Sequence, residues 1–219
     1  MGLSANPHKQ FPTKGVMFMK LYILAGACSQ ASNIALREAG IKFDLVKVDR
    51  KTRRTDDGMG FDEINSKGYV PALGLDNGEV LTENVTVLQY IADRNPAAKL
   101  APPAGTMERY RLQEWLSFIN SEVHKAFSPL FGDTSADTKQ YARGYITKRL
   151  NWLQGAMGSK TFLMGEQYTV ADPYLFTVLN WGRFVDLDIG QWPTLKRFHE
   201  RIGARPHTTE ALKAEGVLK

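Results

Sequence analysis

Strand-like and helix-like periodicities alternate along residues 20–94, and strand patterning then stops. A chain of 219 residues patterned this way must fold as a small α/β unit followed by helices. Lys20 to Leu24 (KLYIL) is a short β-rich run closed by Ala25-Gly26, and helical spacing follows from Ser29 to Ala39, ending at Gly40. Phe43 to Val48 (FDLVKV) alternates apolar and charged residues, as a half-buried strand does, so residues 20–49 read as one βαβ unit. Arg50 to Lys67 is rich in charge and glycine and reads as a loop with one irregular helical turn. A third strand begins at Val70-Pro71-Ala72-Leu73. The Asn77-Gly78 pair predicts a two-residue hairpin turn, which makes strands three and four antiparallel neighbours. A helix opens near Glu83-Asn84, carries Val85, Leu88, Ile91 and Ala92 on one face, and stops before Pro96.

The order β-α-β, then β-β-α, is that of a thioredoxin-like domain. Residues 96–105 (PAAKLAPPAG) hold three prolines and no periodicity, the mark of an interdomain connection. Helical patterns follow near 107–131, 137–157, 170–186, 193–203 and 208–214. The predicted architecture is therefore an α/β thioredoxin-like N-terminal domain plus an all-α C-terminal helical domain. Its parts are a polar extension over 1–18, the α/β domain over 19–98, a linker over 99–106 and the helical domain over 107–219.

Composition narrows the function classes. At 43% hydrophobic and 23% charged residues the chain has an ordinary globular balance, and 11 Phe, 8 Tyr and 4 Trp can fill a core. No run of about 18 uncharged apolar residues occurs, so no membrane helix is expected. Val16 to Cys28 superficially resembles a signal-peptide core, but Lys20 interrupts it, and the expected location is cytoplasmic. The net charge of +5 is spread among acids: Lys51, Arg53 and Arg54 run directly into Asp56 and Asp57. No nucleic-acid partner is expected. A single cysteine excludes an intramolecular disulfide, a CxxC pair and a Cys-based zinc cluster, and no metal site is expected.

Four places could carry chemistry. Cys28 stands where strand one meets helix one, and free N–H groups and the helix dipole there are expected to stabilise a thiolate. Ser29 and Ser32 are placed to cap the same helix; the ordinary alternative is a small buried hydrophobe. A proline at a strand start is ordinarily trans, whereas a cis Val70–Pro71 peptide would leave the Val70 backbone free to pair with an extended peptide. Glu83-Asn84 opens a helix directly after a strand, offering N–H groups to a carboxylate and a carboxylate to an ammonium group, or serving simply as a cap. On a 100° wheel of the helix 107–131, Trp115, Phe118, Ile119 and Glu122 lie together, and Ser117, Asn120, Ser121, His124 and Ser128 lie opposite. That uncharged polar stripe suits a cleft or another polypeptide better than open water. Thr169 to Asp172 fits a capping box. The aromatics Phe127, Phe131, Tyr174, Phe176, Trp181 and Phe184 are expected in the core, with one or two free to line an apolar pocket.

The strings KLYILAGACSQAS (20–32), NSKGYVPAL (65–73), LTENVTVLQYIAD (81–93), EWLSFINSEVHKAFSPLF (114–131) and YTVADPYLFTVLNW (168–181) resemble the beta class of bacterial glutathione transferases. The likeness runs from residue 19 to about 218. It implies glutathione as co-substrate with no other cofactor, a small hydrophobic electrophile as second substrate, a homodimer and a cytoplasmic setting. By the same resemblance, Cys28 matches a cysteine able to form a mixed disulfide with glutathione, with Ser29 beside it. Val70, before a cis Pro71, would pair with the cysteinyl backbone of glutathione. Glu83 and Asn84 would hold its γ-glutamyl end, and Arg53 would reach a carboxylate. His124 matches the histidine that closes over the thiol, with Lys125 beside it, and Ser117, Ser121 and Glu122 fall at neighbouring contact positions. Ile23 occupies the family's usual tyrosine position, so Tyr22 should face the other side of the sheet and no tyrosine-activated thiol is expected. The implied activity is conjugation. The alternatives are thiol–disulfide or peroxidase chemistry at Cys28, and non-catalytic sequestration of apolar compounds.

Overall fold

The computed structural model describes residues 19–218, so the polar extension over 1–18 lies outside the described residues. Four strands, β1 (Met19–Ile23), β2 (Phe43–Lys47), β3 (Ala72–Gly74) and β4 (Val80–Thr82), form one sheet in the order β2-β1-β3-β4. β1 and β2 are parallel, with Leu21 opposite Leu45, and β3 runs antiparallel to both β1 and β4. The connection between β1 and β2 is α1 (Ser29–Glu38), as a parallel pair requires.

Alternation along β1 sorts its side chains between two layers. Met19, Leu21 and Ile23 join the main core beneath α1 and α3 (Asn84–Arg94), while Tyr22 turns to the opposite face with Val46, Val48, Phe61, Val70 and Ala72. Tyr22 packs there against Phe61 of α2 (Phe61–Ile64), the short helix that closes that face, so it lies on the far side of the sheet as its position in the strand predicts. The β3–β4 hairpin is antiparallel as expected, but its turn is not the two-residue kind. Leu75 N–H bonds to Glu79 O and Gly78 N–H to Leu75 O, leaving three residues in the loop, with Gly78 at φ +87°. The glycine of the Asn-Gly pair thus takes the left-handed position that ends a three-residue loop.

The helical half comprises α4 (Met107–Phe118), α5 (Lys125–Phe131), α6 (Ala136–Met157), α7 (Ala171–Asn180), α8 (Pro193–Gly203) and α9 (Pro206–Glu215). The predicted continuous helix 107–131 is interrupted by a π-helical stretch, Ile119–His124, which shifts the facing of everything after it. The buried line is Leu112, Leu116, Ile119, Val123 and Phe127, so Ile119 leaves the company in which a uniform wheel placed it. Trp115 and Phe118 instead pack on Trp152 of α6. Half of the expected capping box forms: Asp172 accepts from Thr169 N–H at 2.7 Å and also from Leu163 N–H at 2.9 Å, securing the start of α7 in the core, whereas the Thr169 hydroxyl donates to Asp172 instead of capping and Val170 holds the N-cap position. Burial raises the Asp172 carboxyl to about 7 against these hydrogen bonds.

α1 is the element both halves share, and it packs on α3, α7 and α9. Ser29, Gln30, Ser32 and Asn33 are all buried in it, which is tolerable only because each has a partner. Gln30 and Asn33 donate to the Glu215 carboxylate of α9, and Ser32 donates to Asn84 Oδ1 at 2.7 Å. No helix among the described residues is long and apolar enough to cross a membrane.

Candidate active site

A cavity of about 630 Å³ opens where the two halves meet. The turn Leu24–Cys28 forms one wall, Gly68–Val70 another, and His124, Lys125, Ser128, Phe131, Trp181 and Phe184 close it from the helical side. Of the residues singled out in the sequence, Cys28, Val70, His124 and Lys125 meet here. Phe131 and Phe184, expected in the core, are exposed and line the cavity, whereas Phe127, Tyr174 and Phe176 are buried. Arg50 and Tyr69 also line it. They sit in segments with no periodicity, so neither stood out in the sequence.

The turn bearing Cys28 is held from the far half of the chain. Gly26, at φ +72°, donates its N–H to Glu215 at 2.9 Å and accepts from the Trp181 indole at 2.9 Å. Beneath it, Ser29 is fully buried, with its hydroxyl against the Leu24 backbone at 3.3 Å. Neither Ser29 nor Ser32 caps α1; Cys28 is itself the N-cap, without a side-chain cap bond. Two of the first-turn amides are spent on Ala27 O and Cys28 O. The thiolate expected there is disfavoured. Burial pushes the Cys28 thiol up to about 12, and its own and the Ser29 amides and the Lys125 ammonium offset this only in part. The protonated thiol donates to Val70 O at 3.1 Å. The Val70–Pro71 peptide is cis, where a strand-start proline is ordinarily trans, and the Val70 carbonyl already has Cys28 as its partner.

Glu83 holds the N-cap position of α3 at φ +68°, with no side-chain cap bond, and its carboxylate pairs with Lys67 at 2.9 Å. Asn84 is buried, its Oδ1 taken by Ser32, and its amide nitrogen makes no close hydrogen bond but lies toward the Tyr174 phenol, whose pKa it lowers against burial. The remaining contact positions are scattered. Arg53 bonds to Asp62 at 2.7 Å and to Gly68 O at 2.8 Å, so it braces the Gly68 wall of the cavity without lining the cavity itself. Glu122 stays on the Trp115 side of the helix, opposite the polar stripe, and is drawn to Arg149 and Tyr145 of α6. Ser117 and Ser121 are exposed on the outer face of the helix pair, with Ser121 bonded back to Ser117 O.

His124 is the best-fixed side chain of the cavity. Trp181 lies edge-on to it with centroids 4.8 Å apart, and its Nδ1 is 2.8 Å from the Tyr174 hydroxyl. Burial, then Lys125, lowers the imidazole to about 4, so it is neutral near pH 7. The cavity therefore presents a neutral thiol and a neutral imidazole beside an ammonium group. Among the described residues no cluster of three His, Cys, Asp or Glu side chains could hold a metal.

Comparison with known proteins gives these parts their context. Residues 25–94 match the glutathione S-transferase N-terminal domain and residues 118–206 the C-terminal domain. Glutathione S-transferase GstA of Escherichia coli O157:H7 is 42% identical over 200 residues, spanning 91% of this chain and 100% of that protein. The chain is a glutathione transferase of the bacterial beta class. A sphingomonad glutathione S-transferase complexed with glutathione superposes on this transferase with a TM-score of 0.88 at 46% identity, over 90% of this chain and 99% of that one. The beta-class enzyme of Sphingomonas chungbukensis gives 0.88 at 48%, over 91% and 100%.

Proposed function

We propose that this transferase binds glutathione along Val70 and the N-terminus of α3 and conjugates its thiol to a small hydrophobic electrophile held by Phe131, Trp181 and Phe184. The observation that carries the reading is the convergence of Cys28, Val70 and His124 on one apolar-walled cavity between the two halves. Glu83 and the Asn84 amide, at the start of α3, suit the zwitterionic γ-glutamyl end. Because Cys28 is protonated, the nucleophile is the thiol that glutathione brings. It loses its proton in the cavity between His124 and Lys125, and its sulfur forms the new bond to carbon as the electrophile's leaving group departs.

Cys28 also forms a mixed disulfide slowly: its thiol displaces reduced glutathione from oxidised glutathione, and the thiol proton leaves with the displaced thiolate. The cysteine is partly exposed in the cavity, which permits this attack, while its raised pKa keeps the thiolate scarce. The working form is a cytoplasmic homodimer. Ser117 and Ser121, exposed and outside the cavity lining, would then meet glutathione only across a subunit boundary.

Calorimetric titration with reduced glutathione, coupled to a conjugation assay with 1-chloro-2,4-dinitrobenzene, tests the reading. Saturable binding with turnover supports it; binding of apolar dyes without glutathione binding or turnover would make the protein a sequestering module instead.

A further inference from the structure

The Tyr174 hydroxyl stands at the centre of a small polar cluster that the predicted core assignment did not foresee. Tyr174 is fully buried on α7, and burial pushes its phenol above the usual range, so it is never ionised in the working pH range. A neutral phenol has one hydrogen to give and two lone pairs to receive. That hydrogen goes to Asn120 Oδ1 at 2.9 Å. The second contact, to His124 Nδ1 at 2.8 Å, must then be one in which the phenol oxygen accepts. The hydrogen on the neutral imidazole is thereby placed on Nδ1, which points back into the protein. Asn120 and His124 belong to the same π-helical stretch and both turn to the one hydroxyl.

We propose that Tyr174, oriented by Asn120, is a positioning residue that locks His124 in its Nδ1–H tautomer, so that the bare Nε2 faces the cavity and accepts the proton of the glutathione thiol. The step is balanced within the site. The S–H bond breaks as N–H forms on Nε2, the electron pair stays on sulfur to attack the electrophile, and the imidazolium later returns its proton to solvent. The Lys125 ammonium beside the site favours the thiolate as it forms. The inference rests on the transferase reading above, but the tautomer itself belongs to the free protein.

Nitrogen chemical shifts of the His124 ring in the full-length protein read the tautomer directly: Nδ1 in the protonated range and Nε2 in the unprotonated range are expected. Tyr174→Phe removes the acceptor and should yield averaged shifts from both tautomers, with kcat falling about tenfold and the KM for glutathione unchanged. Asn120→Ala works in reverse: the freed hydroxyl turns its hydrogen onto Nδ1 and the proton moves to Nε2. This second variant keeps the test alive if Tyr174→Phe does not fold. A merely structural tyrosine would leave the ring shifts of both variants unchanged, and that result overturns the proposal. So does a wild-type ring protonated at Nε2, which would make His124 a donor to the thiolate. Titration of glutathione on the same samples separates the two failures, because loss of binding with the Nδ1–H tautomer intact counts against the transferase reading alone.

Discussion

Cys28 and His124 line one cavity from the two halves of the molecule, and the same force moves them in opposite directions. Burial raises the acid to about 12 and lowers the base to about 4, leaving both uncharged. They differ in what holds them. Cys28 rides on a backbone turn fixed at Gly26 by Trp181 and Glu215, whereas His124 is fixed through its own ring by Tyr174. Tyr174 lies within α7 and Trp181 directly after it, so both halves of the site lean on this helix. A helix dipole at Cys28 contributes a modest stabilisation of charge, and burial outweighs it.

The most damaging way to break this pairing is at the start of α7. Asp172→Ala leaves the Leu163 and Thr169 amides unpaired in the core and should cost about 3 kcal/mol, read as a lower midpoint in urea unfolding. Next comes His124→Ala, expected to lower kcat/KM about a hundredfold with glutathione affinity little changed, as steady-state kinetics and calorimetry would report. Trp181→Phe keeps an aromatic ring but orphans the Gly26 carbonyl. It should destabilise by about 1 kcal/mol and weaken glutathione binding more than it slows turnover. Cys28→Ala is the mildest: conjugation should change less than about threefold, a fraction of 1 kcal/mol on the rate scale. The glutathione adduct seen by intact mass after exposure to oxidised glutathione should vanish. If Cys28→Ala proved as damaging as His124→Ala, the asymmetry drawn between the two residues would fail.

Much of the fold was legible because it is written in local periods. The alternation in Phe43–Val48, the parity of Tyr22 along β1 and the Thr169–Asp172 box each depend on residues within a few positions of one another. What escaped was of two kinds. A uniform 100° wheel placed Ile119 beside Trp115 and Glu122, but the π-helical stretch has more residues per turn, so Ile119 joins the buried line with Leu116 and Val123 while Trp115, Phe118 and Glu122 stay together against α6. The supports of the site were invisible for a different reason. Gly26 is tied to Trp181 and Glu215, which are 155 and 189 residues away, and no local pattern marks Glu215 as a buried acceptor. The charge state of Cys28 failed likewise: its place at a helix start is sequence information, whereas its enclosure by the other half of the chain is not.

The most direct test is the rate at which iodoacetamide alkylates Cys28, the single cysteine, as pH is raised without glutathione. Alkylation follows the thiolate, so a thiol held near 12 predicts a rate climbing about tenfold per pH unit with no plateau through about pH 10. A plateau already reached near pH 7 would mean that the helix dipole wins over burial, and that Cys28 is a standing nucleophile.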